Sequence, residues 1–358
     1  KARDIYLSMP AFRDCGDRYY IMCDLILDRD FDEAVSSGEN GINSLKRLAA
    51  RTYSTSETLM QEKIYAYAGR MKKAGNYSFA RDIFAILKAY GYSDSAKQIE
   101  ECTYQIACGL QAKGQDLEAA KLFASCSYNG SADRLNACYY AYAGEKIKLH
   151  DYAEAEKYLK KCLSYSDSRD ILNGWKEIYD RADTLYASED FAAAAKVYAS
   201  LYNWSDAKAK YTDSRLAYAS QLRANGDYEA AREIYLQLNN NTEVTETDYL
   251  IAIKLYNEGK NNAAYTAFSA LDGYKDSALY IRKVYLSSAR VYMNNGSYKD
   301  AEACYLEAGN LEGATEELKK CRDYIIDECL AAHNYTEAYR YMGLNSRKAD
   351  MLTVAEEL

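Results

Sequence analysis

Tyr218 to Leu238, YASQLRANGDYEAAREIYLQL, reads as two short amphipathic helices joined by a tight turn at Asn225-Gly226-Asp227. Gly226 has no Cβ, so it can take the positive φ that ends the first helix. Asp227 is placed to cap the second helix by accepting its free N–H groups. Ala219 and Ala231 face each other across the hairpin, and their small side chains let the helices approach closely. Tyr228 and Tyr235 lie seven residues apart, two helical turns, and so share one face. The spacing predicts helices over 207–224 and 227–238.

The same pattern slides along the whole chain. The turn position falls at Arg29, Gly75, Gly114, His150, Glu189, Gly226, Gly259, Gly296 and His333, at spacings of 33 to 46 residues. The position five after each turn is Ala in all nine units, from Ala34 and Ala80 to Ala301 and Ala338. Seven units carry Ala seven residues before the turn as well. Two after it an aromatic dominates, with Asp116 and Asn261 breaking the column; nine after it stand Phe84, Phe123, Tyr198, Tyr235, Phe268 and Tyr305.

This arrangement of Ala, Gly, Tyr, Ala and Phe/Tyr resembles the tetratricopeptide repeat over nearly the whole chain. The resemblance implies a right-handed all-α solenoid, here of about nine antiparallel helical hairpins. The chain departs from the family in two respects. Most repeats are 36–39 residues long, against the usual 34. The family's Pro near the end of the second helix is absent. In its place stand Tyr92-Ser93-Asp94-Ser95, Tyr165-Ser166-Asp167-Ser168, Trp204-Ser205-Asp206-Ala207 and Tyr274-Lys275-Asp276-Ser277. Asp is a good N-cap, so each of these is read as the start of a lengthened first helix.

The whole of 1–358 reads as a single array. Residues 1–9 match the second helix of a unit, so the chain reads as a fragment of a longer array. An irregular first repeat with an insert follows over 10–54, with an extra helical segment around Ile42–Arg51. Regular repeats run over 55–238, the polar run 239–245 is a candidate kink, and 246–358 holds the remaining repeats and a terminal helix.

The chain has one Pro in 358 residues, where usual composition gives about 18. Nearly every residue is therefore expected in helix or short turns, with Pro10 at a helix start. There are 38 Tyr against 7 Phe. Tyr can bury its ring and keep its hydroxyl wet, which suits thin repeat layers. The net charge of −8 argues against a nucleic-acid surface, since phosphate binding needs clustered Lys and Arg. The longest apolar run is too short to span a bilayer, so no direct membrane insertion is expected.

No residues carry catalysis in this reading. His150 and His333, the only two histidines, stand in the turns of distant repeats and cannot converge on a substrate or metal. The ten Cys have no zinc spacing. Their columns let Cys102 approach Cys126 and Cys138 approach Cys162, as disulfides in an exported protein or as small buried hydrophobes. The acidic residues read as solvating. No cofactor motif is present, and none is expected.

One column suggests binding. Ten residues before the turn stand Tyr19, Tyr65, Tyr104, Tyr140, Tyr179 and Tyr249. By resemblance to the tetratricopeptide family, that helix face lines a concave groove where peptides lie. The family's peptide-carboxylate clamp uses Lys, Arg and Asn there, and this chain has Tyr. The column reads either as a ligand-binding ladder (Tyr65, Tyr104, Tyr140, Tyr179, Tyr249) or as packing between repeats, with ring bodies buried and hydroxyls reaching the groove. The function expected is a non-catalytic, bacterial-type cytoplasmic scaffold for a protein or peptide partner. The competing reading is an exported cell-surface or carbohydrate-binding module.

Overall fold

The template stretch folds into helices Ala207–Ala224 and Tyr228–Gln237, close to the expected spans. Gly226 joins them at φ 87°. Ala219 and Ala231 are fully buried and share one core cluster with Ile234, Tyr235 and Val244. A larger side chain at either alanine would have to push the helices apart, at a cost of about 1–3 kcal/mol.

The computed structural model describes residues 1–9, 12, 14–51 and 57–356, apart from the side chains of 57–59 and 348. Pro10 and the junction at 54/55 lie outside the described residues. Among the described residues there are twenty α-helices and no strand. The chain is an all-α helical-repeat solenoid. It divides into two compact units, 1–180 with 200–208 and 181–199 with 209–358. In the first, hairpins form from Glu57–Lys73 with Tyr77–Lys88, Ser95–Ala112 with Asp116–Ala124, and Ser131–Lys148 with Tyr152–Leu159. In the second, Asn241–Asn257 pairs with Asn261–Ser269, Ser277–Asn294 with Tyr298–Ala308, and Ala314–Ala331 with Tyr335–Leu344. Helices Ser168–Ala187 and Phe191–Ser200 carry the remaining turn, at Glu189.

The alanine columns are the seams of these hairpins. All nine alanines five after the turn are at most 2% exposed, and all seven that precede the turn are fully buried. The aromatic column nine after the turn is equally deep: Phe84, Phe123, Tyr198, Tyr235, Phe268 and Tyr305 are at most 3% exposed. Where that ring is Tyr, its buried hydroxyl has a partner, as burial of a polar group requires. Tyr198 donates to Asp183 at 2.5 Å, Tyr305 donates to Glu317 at 3.2 Å, and Tyr235 meets the Ser220 hydroxyl at 3.1 Å.

The turns divide into two kinds. Gly75, Gly114, Gly226, Gly259 and Gly296 take positive φ without steric cost, and their second helices start with no side-chain cap at Asn76, Gln115, Asp227, Lys260 or Ser297. The expected Asp227 cap is therefore only positional. His150, Glu189 and His333 hold the same left-handed backbone with a Cβ present. Each is followed by a side chain that does cap: Asp151 accepts from the Glu154 N–H, Asp190 from Ala193, and Asn334 from Glu337. A cap contributes about 1 kcal/mol, which offsets part of the roughly 1–2 kcal/mol strain of a non-glycine residue there.

The first repeat departs from the template. Arg29 is not a turn: one helix runs Cys15–Ser36 straight through it. The Asp30 carboxylate that would start a second helix is engaged by the guanidinium groups of Arg29 and Arg51, at 2.9 and 3.1 Å. The reversal comes instead at Gly38, with φ 56°, followed by helix Ile42–Ala49. At the other irregular stretch, Asn239 takes φ 53° and the polar residues from Asn241 onward form helix Asn241–Asn257.

Candidate interaction face

The tyrosines ten before the turn sit on the first helix of each hairpin. Tyr65, Tyr104, Tyr140 and Tyr179 are half-buried in the first unit, and Tyr249 is 7% exposed in the second. Each ring leans on the aromatic residue at the end of its own hairpin. Tyr65 lies 5.7 Å from Tyr92, Tyr104 lies 4.7 Å from Tyr128, and Tyr140 lies 5.7 Å from Tyr165. Tyr179 lies 5.4 Å from Trp204, and Tyr249 lies 5.9 Å from Tyr274. Tyr65, Tyr104 and Tyr249 also meet the deep ring nine after the turn, Phe84, Phe123 and Phe268, at 5.3, 5.5 and 6.1 Å. These are tilted or edge-on contacts, the geometry the ring quadrupoles favour.

The hydroxyls have a defined destination. Tyr140 donates to the Asp167 carboxylate at 2.6 Å, and Tyr65 and Tyr179 donate in the same way to Asp94 and Asp206. Each aspartate immediately precedes the first helix of the next hairpin. This corrects their expected role. Asp94 and Asp276 occupy the N-cap position, but neither side chain caps its helix. The Asp94 carboxylate, like those of Asp167 and Asp206, is turned back to a tyrosine one repeat earlier. That hydroxyl, with Gln98 second, holds Asp94 below the usual carboxylate range; the Tyr140 hydroxyl does the same to Asp167. The tyrosines respond in the opposite sense: Tyr65 is raised by burial and then by Asp94, and Tyr140 chiefly by its bond to Asp167.

The turn that delivers these aspartates is the same each time. The residue before Asp is left-handed at Ser93, Ser166, Ser205 and Lys275, with φ 48–51°. The residue after Asp closes the turn onto the aromatic carbonyl, from Ser95 to Tyr92, Ser168 to Tyr165, Ala207 to Trp204 and Ser277 to Tyr274. The Ser95 and Ser168 hydroxyls repeat that bond at 2.6 and 2.7 Å.

Other boundaries vary the scheme. Gly130 replaces the aspartate beside Tyr104, and the Tyr104 hydroxyl raises Arg134 by a hydrogen bond instead. Leu216 replaces the tyrosine, and there Asn240 accepts from the Glu243 N–H at 3.3 Å and caps its own helix. In the Tyr249 repeat, Tyr274 donates to Glu246 at 2.8 Å and Lys275 pairs with the same carboxylate.

The other sequence candidates resolve as follows. His150 and His333 lie in left-handed turns with Nδ1 at 3.2 and 3.0 Å from the hydroxyls of Tyr152 and Tyr335. All ten cysteines are thiols. Burial, with Asp116 beside it, pushes Cys138 up to about 12, and burial pushes Cys321 up to about 11. The expectation that acidic residues only solvate fails at several sites. Glu302 is 9% exposed and is held by Arg322 at 2.7 Å and by the Tyr341 hydroxyl at 2.8 Å. Arg290 clamps Glu317 with two bonds, at 2.9 and 2.7 Å, and Lys72 meets Glu101 at 2.6 Å. These pairs join successive repeats, and no fixed spacing marked them. Asp116 is buried in the aromatic column, and burial followed by Glu145 raises its carboxyl.

Among the described residues no group of three or more His, Cys, Asp or Glu could hold a metal ion, and no helix is long and apolar enough to cross a membrane.

No family model matches the chain, and no curated protein matches it. Among solved structures it is similar to the tetratricopeptide-repeat domain of P58(IPK), at 16% identity, covering 83% of this chain and 87% of that one, with a TM-score of 0.24. It is also similar to a circular tandem repeat protein of novel repeat topology, at 12% identity, covering 99% and 89%, with a TM-score of 0.19. Likenesses this distant carry no argument, so the solenoid assignment stands on the chain's own helices and alanine seams.

Proposed function

We propose that the chain is a non-catalytic scaffold that binds a protein or peptide partner along the tyrosine-bearing helix face. The observation supporting this is the half-exposure of Tyr65, Tyr104, Tyr140 and Tyr179, one ring per repeat. The hydroxyls of Tyr65, Tyr140 and Tyr179 are anchored to the next repeat. Rings fixed in this way lose little side-chain entropy on contact and offer apolar edges beside carboxylates. With a net charge of −8, the partner segment favoured is extended, basic and rich in apolar side chains.

The test is a displayed random-peptide library panned on the protein and on a variant with Tyr104, Tyr140 and Tyr179 all replaced by Ala. The expected result is a set of basic binders that the variant loses while keeping its helical circular dichroism. Binders that ignore the substitutions would contradict the reading. Glycan-array binding lost in the same variant would favour a carbohydrate-binding module instead.

A further inference from the structure

The repeat at Gly259 lacks the ring that others place two residues after the turn, because Asn261 stands where Tyr77, Tyr152, Tyr228 and Tyr298 stand elsewhere. In those repeats the ring can pack on the first helix of the next one. Tyr298 stacks on Tyr324 at 5.0 Å with planes 10° apart, and Tyr152 meets Trp175 at 5.2 Å. At Asn261 the corresponding space is open. A notch of about 490 Å³ is lined by Asn261, Asn262, Ser288, Val291 and Tyr292. It continues into a further 240 Å³ that also touches Tyr265, Tyr285 and Cys304. Val291 and Tyr292 on its wall are 51% and 38% exposed, high values for side chains this apolar. The Asn261 side-chain oxygen is shielded from solvent and has no hydrogen-bond partner, which costs free energy until a donor arrives.

We propose that this notch receives an aromatic side chain of an extended peptide. The chain itself supplies the precedent, since Tyr152 and Tyr298 fill the same joint in their own repeats by packing on Trp175 and Tyr324. A bound ring would meet apolar wall and tyrosine edges, while Asn261, Asn262 and Ser288 offer donors and acceptors suited to a peptide backbone. The one cation on the rim, Lys260, is paired with Glu258 at 2.8 Å. That leaves a lining without free charge, which disfavours a phosphate or carboxylate ligand. The site is separate from the tyrosine column, and either can fail without the other.

The experiment is titration of the full chain, ¹⁵N-labelled at asparagine, with N-acetyl-tyrosinamide, following the side-chain amide signals by NMR. Saturable shifts at Asn261 and Asn262 are expected, with a Kd on the order of millimolar for so small a ligand. N-acetyl-alaninamide should bind at least about tenfold more weakly. Asn261→Tyr, which restores the missing ring, should lose at least about tenfold in affinity. Should that variant fail to fold, Ser288→Leu fills the same space from the facing helix and should lose as much. The variant with Tyr104, Tyr140 and Tyr179 replaced by Ala should still bind, and loss there would move the signal to the column and overturn the notch. Equal shifts from the alanine analogue, unchanged binding by a filled variant, or tighter binding of methyl glucoside would each overturn it too.

Discussion

The boundary at Tyr92–Ser95 and the boundary at Leu238–Asn241 have the same backbone and use it differently. Both place a left-handed residue, Ser93 or Asn239, before a polar residue that precedes a first helix. At the first, Tyr65 stands ten residues before the turn, and Asp94 gives its carboxylate to that hydroxyl rather than to its own helix. At the second, Leu216 stands in the tyrosine's place, and Asn240 caps its own helix through the Glu243 N–H. The partner upstream decides where the boundary side chain points, and the boundary residue alone does not fix it. A hydroxyl in reach outcompetes the orphan N–H groups, because those can also be met by water.

Removing the upstream residue should have the largest effect. Tyr65→Ala is expected to lower stability by about 2–3 kcal/mol, below the usual 3–5 because the ring is only half-buried. Leu216→Ala, which strips no hydrogen bond, should cost about 1–2 kcal/mol. Urea unfolding of the two variants gives the difference, and equal losses would mean the tyrosine hydroxyl contributes nothing.

The boundary residues should separate next. Asn240→Ala removes a cap and should cost about 1 kcal/mol. Asp94→Ala removes an exposed acceptor, so its cost should be smaller, under about 1 kcal/mol. A larger loss at Asp94 than at Asn240 would break the comparison.

Acid sharpens it further. Its bond to the Tyr65 hydroxyl holds Asp94 below the usual carboxylate range, so its stabilisation is present at neutral pH and is lost as pH falls through the folded value. Tyr65→Phe should flatten the decline in stability below about pH 4. Asp116 has the opposite sign. Its carboxyl is raised, so the unfolded chain ionises more readily and neutral pH is where it destabilises most. Asp116→Asn should therefore raise the melting temperature at pH 7 and lose that advantage on acidification. An advantage that persists at pH 3 would point to packing instead of charge.

Much of this architecture was legible in the sequence. The alanine seams, the glycine turns and the template helices follow from spacing and size, both local properties. The first repeat was misread because Ala34 and Phe31 fit the columns while nothing around Arg29 breaks a helix. Side-chain direction was not legible. Asp94 and Asn240 are both good caps by residue type, and only the residue 29 or 24 positions upstream, Tyr65 or Leu216, separates them. The paired carboxylates Glu302 and Glu317 sat in no column, so nothing distinguished them from solvating charge. The notch at Asn261 was visible as a break in the aromatic column, but its volume depends on the facing helix Ser277–Asn294.

The most direct measurement is a double-mutant cycle between Tyr65→Phe and Asp94→Ala, read by equilibrium unfolding. A charge-assisted bond at a partly exposed site predicts a coupling of about 0.5–1 kcal/mol. The matching cycle of Leu216→Ala with Asn240→Ala should give none. Zero coupling between Tyr65 and Asp94 would contradict the claim that the tyrosine hydroxyl ties its repeat to the next.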